Sequence, residues 1–347
     1  MSAVLNGVFI NGQWQAGHEV LEVINPATEA TLAHVSVGDA SAVELAVDAA
    51  SAAFVDWSKS SGRDRGALLR KVAQGVSEQR EQLMQLQSSN NGKPLFEASI
   101  DVDDVIATFE YYAGICDAMD AGQDCKVALP SDDFSARMRR EPCGVVGLIV
   151  PWNFPMVTTA WKLAPALAAG CCVVLKPSEV TPLAELQLAR IIAEAGFPAG
   201  VFNLVCGTGL AVGAPLAADR RVAKISFTGS NAVGVQVMQR AAETIKGVSL
   251  ELGGKSSLLV LADADLDLAV ELACGGGFFN AGQICSATSR VLVADNLADE
   301  FLQRLQARAE GIRVADPFAE DVEMGALINR AQYQRVLGHI PVSYTHL

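Results

Sequence analysis

GVVGLIV at 144–150, CCVVLKP at 171–177 and VFNLVCG at 201–207 are three short apolar runs, and what separates them decides the fold. TTAWKLAPALAAG (158–170) lies between the first two and PLAELQLARIIAEAG (182–196) between the second and third, both with apolar residues at helical spacing. A run that is apolar on both faces and only a few residues long suits a strand covered on both sides. Strand, helix, strand, helix, strand is the order of a parallel sheet with helices on its faces. Moving outward, VAKISFTGS (222–230) adds a strand and NAVGVQVMQRAAETI (231–245) the helix after it, so this stretch reads as doubly wound α/β. A further unit begins near residue 255. There SSLLVLADADLDLAVELACGGGFF (256–279) reads as strand, turn and helix, SRVLVAD (289–295) as a strand and ADEFLQRLQARAEGI (298–312) as a helix.

Toward the amino terminus, helices are expected to fill the first third. SAVELAVDAASAAFVDW (41–57) and RDRGALLRKVAQGVSEQREQLMQLQSSNNGKP (63–94) are amphipathic, the second stopping at Asn-Gly-Lys-Pro. ASIDVDDVIATFEYYAGICDAM (98–119) is a third helix, on which Asp101 and Asp104, three apart, share a face. DCKVALPSDDFSARMRREP (124–142) alternates apolar and polar residues around a Pro-Ser-Asp-Asp turn, the pattern of an exposed hairpin.

With 347 residues, 50% hydrophobic and 19% charged, the chain exceeds one ordinary core and is globular rather than disordered. A net charge of −13 disfavours nucleic acid and anionic bilayers as partners. No signal-peptide pattern stands at the start, and the apolar region 143–175 is interrupted by prolines and Lys162, so a cytoplasmic protein without a membrane span is expected. The eight cysteines form no CxxC pair and lie away from the four histidines, so zinc-ligand spacing is absent and no metal is expected. Most should be small core residues in a reducing compartment.

Cys285 differs, because it sits in the polar, glycine-flanked FFNAGQICSATSR (278–290). It is either a nucleophile or a small buried residue. With no histidine nearby, a base must come from elsewhere. SLELGGKS offers Glu251 in an apolar, strand-like stretch, where burial would raise its pKa and suit it to general-base work, unless it is merely ion-paired. PWNFP holds Asn153 between two prolines, as a fixed donor toward a developing oxyanion or as a loop residue. Gly229 and Ser230 stand where a strand hands over to a helix, so the helix amino terminus can face a phosphate. Glu179 could hold a ribose diol with Lys176 close to the same sugar, while the GxGxxG of a common dinucleotide site is absent.

Taken in order, PWNFP, KPSE, FTGS, LELGGKS and FFNAGQICSA resemble the aldehyde dehydrogenase superfamily, over residues 5–340 and with Glu251 and Cys285 34 positions apart. The resemblance implies an NAD-binding domain of doubly wound parallel sheet at 1–123 and 143–254. It further implies an oligomerisation hairpin at 124–142 and an incomplete α/β catalytic domain at 255–347. It makes Cys285 the nucleophile that attacks an aldehyde, Asn153 with the Cys285 backbone N–H the oxyanion donors, and Glu251 the base that activates water to release the acid. Hydride would pass to NAD, with Trp152, Lys176, Glu179, Gly229, Ser230, Leu252 and Gln332 as cofactor contacts. A carboxylate on the ribose diol favours NAD over a 2′-phosphorylated cofactor.

NGKP, DVDDVIATFEYYAG and GQICSATSR look most like the betaine aldehyde and aminoaldehyde dehydrogenases. That implies a small aldehyde with a distal ammonium as substrate. Phe154, Trp161 and Phe279 would line an aromatic channel for the cation, and Asp101 and Asp104 would offer it carboxylates. Phe154 departs from the tyrosine often seen there. The family continues well past Leu347, and Pro341–Leu347 diverge from its continuation. The resemblance thus implies a truncated chain of a homodimeric or homotetrameric enzyme, lacking the Glu-x-Phe-Gly-Pro glutamate for the nicotinamide ribose. The alternative expectation is a catalytically inactive NAD-binding fragment.

Overall fold

The computed structural model describes residues 4–131 and 133–345. Asp132 of the Pro-Ser-Asp-Asp turn, and His346 and Leu347 of the divergent tail, lie outside the described residues.

The amino-terminal region departs from the helical expectation. Among the described residues, five strands precede the first helix: β1 (Val4–Asn6), β2 (Val8–Ile10), β3 (Gln13–Gln15), β4 (Glu19–Ile24) and β5 (Thr31–Val37). A tight hairpin joins β2 to β3, pairing Phe9 with Trp14. Its turn residues Asn11 (φ 52°) and Gly12 (φ 79°) both take the left-handed backbone that Asn-Gly supplies most readily. Helix α1 (Ala40–Trp57) is capped by the Asp39 carboxylate, which accepts from Ser41 N–H and Ala42 N–H. The single helix expected over 63–94 is two, α2 (Gly62–Glu78) and α3 (Arg80–Asn91), broken where Gln79 leaves helical geometry (φ −107°, ψ 19°). Gly92 (φ 87°) ends α3 in the left-handed conformation, and the long α4 (Leu95–Met119) follows. The short strands β6 (Cys125–Val127) and β7 (Ala136–Met138) form an antiparallel hairpin with mostly exposed residues.

From Val145 the chain builds β8 (Val145–Ile149), α5 (Pro155–Ala168), β9 (Cys172–Lys176), α6 (Leu183–Ala195), β10 (Phe202–Val205), α7 (Ala214–Ala218), β11 (Val222–Gly229), α8 (Asn231–Ala242) and β12 (Gly247–Leu252). Every residue of β8, β9 and β10 is buried, which is why these strands read as unbroken apolar runs. The sheet order is β12-β11-β8-β9-β10-β2-β3. Strands β8 to β12 are mutually parallel, and β2 adds antiparallel to β10. Read from β10, the parallel part has chain order three-two-one-four-five, the doubly wound order in which the direction of winding reverses between β8 and β11.

A second, separate core cluster joins Val260, Ala269, Val270, Ala273 and Phe301. It lies between the parallel pair β13 (Ser257–Val260) and β14 (Arg290–Val293) and the helices α9 (Leu266–Phe278) and α10 (Ala298–Glu310). Helix α11 (Arg330–Thr345) closes the described chain. No helix among the described residues is long and apolar enough to cross a membrane.

Candidate active site

In an open α/β sheet, a ligand crevice forms outside the carboxyl ends of the strands where the winding reverses. Here those ends belong to β8 and β11, so Trp152 and Asn153 leave one and Gly229 and Ser230 leave the other. The loop after β8 is held from several sides. Asn91 Nδ2 donates to the carbonyls of Trp152 (2.8 Å) and Asn153 (3.3 Å), Thr181 Oγ1 donates to Trp152 O (3.2 Å), and Pro155 opens α5.

Asn153 is joined directly to the segment that carries Cys285. Its Nδ2 donates to Gln283 O at 2.8 Å, while its own carbonyl accepts from Asn280 Nδ2 at 3.0 Å. That segment is tightly wound: Asn280 (φ 51°), Ala281 (φ 55°) and Gly282 (φ 74°) are all left-handed, a conformation costly for the two residues that carry a Cβ. Cys285 itself is exposed. The exit of β12 passes beside it, since a Cβ on Gly254 would lie 3.9 Å from Cys285 O.

Glu251 needs a correction. It was expected within an apolar stretch, but it is exposed, because β12 is the outermost strand of its sheet. Strand register sets Glu251 beside Thr228 and Leu252 beside Gly229, so it still reaches the carboxyl end of the sheet. Lys162, which the sequence showed only as a lone charge in an apolar helix, lies near enough to feel it. Burial lowers the Lys162 pKa to about 8, the charge of Glu251 opposes that shift, and its Nζ donates to Ser226 Oγ at 3.0 Å.

On the other side of the crevice, buried Lys176 donates to Glu179 Oε2 (2.9 Å) and to Pro177 O (2.8 Å) at the end of β9. Ser230 caps α8. Leu252 fills the space over Gly234, where a Cβ would stand 2.8 Å from its side chain. Glu179 lines a cleft of about 1080 Å³ together with Thr208, Ala281, Arg330 and Tyr333. Gln332, on the same helix as Arg330, is not among the residues lining it; its N–H donates to Asn329 Oδ1 (2.9 Å) at the helix start. Of the expected cofactor contacts Glu179 alone lines this cleft, where its carboxylate can accept from a ribose hydroxyl; Trp152, Lys176, Gly229, Ser230 and Leu252 lie outside its lining.

The expected cation site is rearranged. Asp101, only 2% exposed, accepts from Lys93 Nζ at 2.6 Å and Gln87 Nε2 at 2.7 Å, so its charge is already paired inside the protein. Sequence spacing gave Asp101 and Asp104 a common face, but not that Lys93 would cover one of them. Asp104 stays partly exposed and accepts from Trp161 Nε1 (3.2 Å) and Thr108 Oγ1 (3.2 Å). Phe154 and Phe279 stack with centroids 6.3 Å apart and planes 5° apart. Lys93 Nζ sits 4.0 Å from the Phe154 centroid, so the cation on that ring is the protein's own. A smaller cavity of about 280 Å³ opens between Thr108, Tyr111, Tyr112 and Trp161.

Sequence reasoning passed over Lys93, Glu97 and Asn280. Buried Glu97 accepts the Asn280 N–H with both oxygens, at 2.9 and 3.1 Å. Its pKa rises to about 7, chiefly through burial, with the Asn280 hydrogen bond and Lys93 pulling it down. A lysine, a glutamate and an aspartate at four-residue steps, Lys93, Glu97 and Asp101, were the available signal.

The profile of the Aldehyde dehydrogenase family matches residues 14–343. Betaine aldehyde dehydrogenase 1 of Oryza sativa subsp. japonica is 46% identical over 341 residues, covering 96% of this chain and 68% of its own length. The peroxisomal aminoaldehyde dehydrogenase 2 of Pisum sativum is 46% identical over 337 residues, covering 95% of this chain and 67% of its own. The crystal structure of betaine aldehyde dehydrogenase from Staphylococcus aureus in complex with NAD+ superposes with a TM-score of 0.94 at 37% identity, over 98% of this chain and 68% of that one. Profile, relatives and superposition all take in the crevice and the Cys285 segment, and the chain belongs to the aldehyde dehydrogenase family.

Proposed function

We propose that the chain oxidises an aldehyde bearing a distal ammonium, of the betaine aldehyde or ω-aminoaldehyde type, to the carboxylic acid with NAD. The observation that carries this reading is the 2.8 Å hydrogen bond from Asn153 Nδ2 to Gln283 O, which ties an amide donor to the loop of an exposed cysteine at the sheet's reversal point.

The Cys285 thiolate adds to the aldehyde carbon and forms a thiohemiacetal. Its oxyanion takes hydrogen bonds from the Cys285 N–H and from Asn153 Nδ2, which turns from Gln283 O to reach it. NAD, when bound, supplies the two-electron acceptor. A thioester on Cys285 remains, and Glu251 removes a proton from the water that cleaves it, leaving the acid and the free thiol. Lys176 and Glu179 orient the adenosine ribose, Gly229 and Ser230 present the start of α8 to a phosphate, and Trp152, Leu252 and Gln332 complete the cofactor contacts.

With Asp101 already paired, the charge for a substrate ammonium falls to Asp104, which accepts from Trp161 Nε1 beside the small cavity of Thr108, Tyr111 and Tyr112. The hairpin of β6 and β7 is the segment we assign to self-association into a dimer or tetramer. The eight free thiols suit a reducing compartment such as the cytoplasm.

A second reading, nucleotide binding without turnover, is favoured by Leu259, Leu261 and Leu292, which stand exposed around the small β13–β14 sheet. NADH formation with betaine aldehyde, an ω-aminoaldehyde and a neutral aliphatic aldehyde separates the two. Turnover that favours the cationic aldehydes supports oxidation. NAD binding with no NADH from any of them establishes the second reading.

A further inference from the structure

We propose that Glu97 is a positioning residue for the nucleophile, its carboxylate holding the left-handed turn that delivers Cys285 to Asn153; this rests on the assignment of Cys285 above. Glu97 sits in the first turn of α4 and is 0% exposed. A carboxylate so buried is normally matched by a cation in contact. The nearest ammonium, Lys93, instead donates to Asp101 at 2.6 Å, and Glu97 spends both oxygens on one backbone amide, Asn280 N–H, at 2.9 and 3.1 Å.

That amide belongs to the strained part of the loop. Asn280 and Ala281, with φ 51° and 55°, each carry a side chain in a backbone region natural to glycine. Such a pair persists only when its surroundings hold it, and Asn280 itself is tied at two points to residues outside the loop. Glu97 takes the Asn280 amide, and Asn280 Nδ2 donates to Asn153 O at 3.0 Å. The first tether fixes the turn and the second joins it to the oxyanion donor. Five residues further on stands Cys285.

The hold should depend on pH. On its own side Glu97 faces Lys93, which favours its charge, and Asp101, which opposes it; on the loop side it faces the Asn280 amide. Ionised, the carboxylate accepts with both oxygens and full charge. Protonated, it loses one acceptor and the charge assistance, so the turn loosens as pH falls through about 7.

The test uses the full chain and its Glu97→Gln variant, followed by hydrogen exchange of the peptide around residues 279–286 and by NADH kinetics across pH. In the unaltered protein the Asn280 amide should lose protection about tenfold between about pH 8 and about pH 6, after correction for intrinsic exchange. Glu97→Gln should exchange fast at both pH values. Its kcat should fall about ten- to a hundredfold with KM and NAD binding unchanged, and its rate should lose the rising limb near neutral pH. Adding Ala281→Gly, which accepts the left-handed backbone without help, should recover much of the lost kcat. Wild-type exchange and kcat in Glu97→Gln overturn the proposal, as does a loss that Ala281→Gly leaves untouched. Should Glu97→Gln not fold, the unaltered protein decides alone: Asn280 protection that ignores pH across this range overturns it. A Cys285→Ala variant that kept its activity would remove the catalytic reading, while the exchange measurement would still judge the tether on its own.

Discussion

The large sheet and the small one follow the same parallel plan, and their two faces fare differently. In β9 of the large sheet all five residues are buried, with helices packed on both sides. In the pair β13–β14, Val260 and Val293 turn toward α9 and α10, whereas Leu259 is 64% and Leu292 53% exposed on the opposite face. The sheet covered on both faces can hold a site by its own packing. The thinner region, which carries Cys285, is held near that residue by hydrogen bonds into the larger one: Asn280 N–H to the Glu97 carboxylate, Asn280 Nδ2 to Asn153 O, and Asn153 Nδ2 to Gln283 O. The position of the Cys285 loop therefore depends on hydrogen bonds to the large sheet and its helices.

The largest effect expected is chemical. Cys285→Ala should lower turnover by about 10⁴-fold or more while NAD binding, which we assign to the large sheet, stays within a factor of about two. Activity within tenfold of the unaltered chain would remove Cys285 as nucleophile and with it the division of labour between the regions.

The next effects are on stability, and they separate the two cores. Leu163, fully buried in α5, should cost about 2–5 kcal/mol as Leu163→Ala and lower the melting of the large sheet. Phe301→Ala should cost about 3–5 kcal/mol locally, speeding exchange over 257–310 while the strands from 145 to 205 keep their protection. Uniform loss of protection across both regions in Phe301→Ala would show a single cooperative unit. Asp101→Asn, which leaves the Lys93 ammonium buried and unpaired, should destabilise by about 3–5 kcal/mol with all aldehydes affected alike. Asp104→Asn should instead leave stability nearly unchanged and raise KM for cationic aldehydes about five- to a hundredfold over neutral ones. An equal rise for both substrate classes would make Asp104 structural as well.

The smallest effect is a slope. Burial lifts the pKa of Glu185, whose Oε1 accepts from Thr159 Oγ1 at 2.8 Å, to about 8. Between its unfolded value of 4.5 and about 8, the folded chain binds more protons than the unfolded one at this site, so stability falls as pH rises through that window. Glu185→Gln should flatten the fall, and an unchanged slope would move its origin elsewhere.

The parallel strands were legible because burial on both faces leaves unbroken apolar runs, and Cys285 stood out by its polar setting. The strands of residues 4–37 were missed because most are three to six residues long, although Asn11-Gly12 between Ile10 and Trp14 was a readable hairpin signal. The exposure of Glu251 follows from β12 lying at the sheet edge, a matter of strand order that local sequence does not carry. The burial of Asp101 depends on Lys93 folding back from the preceding loop. Helical spacing tells which residues share a face, and tertiary packing decides which of them meets solvent.

In the mechanism we propose, Cys285, steadied from the larger region, carries the acyl group. This is tested most directly by mixing Glu251→Gln with betaine aldehyde and NAD and weighing the peptides. About one equivalent of NADH should form in a burst, with the acyl mass retained on the peptide that contains Cys285. NADH formed with no added mass there, or with the acyl group on another cysteine, would contradict that mechanism.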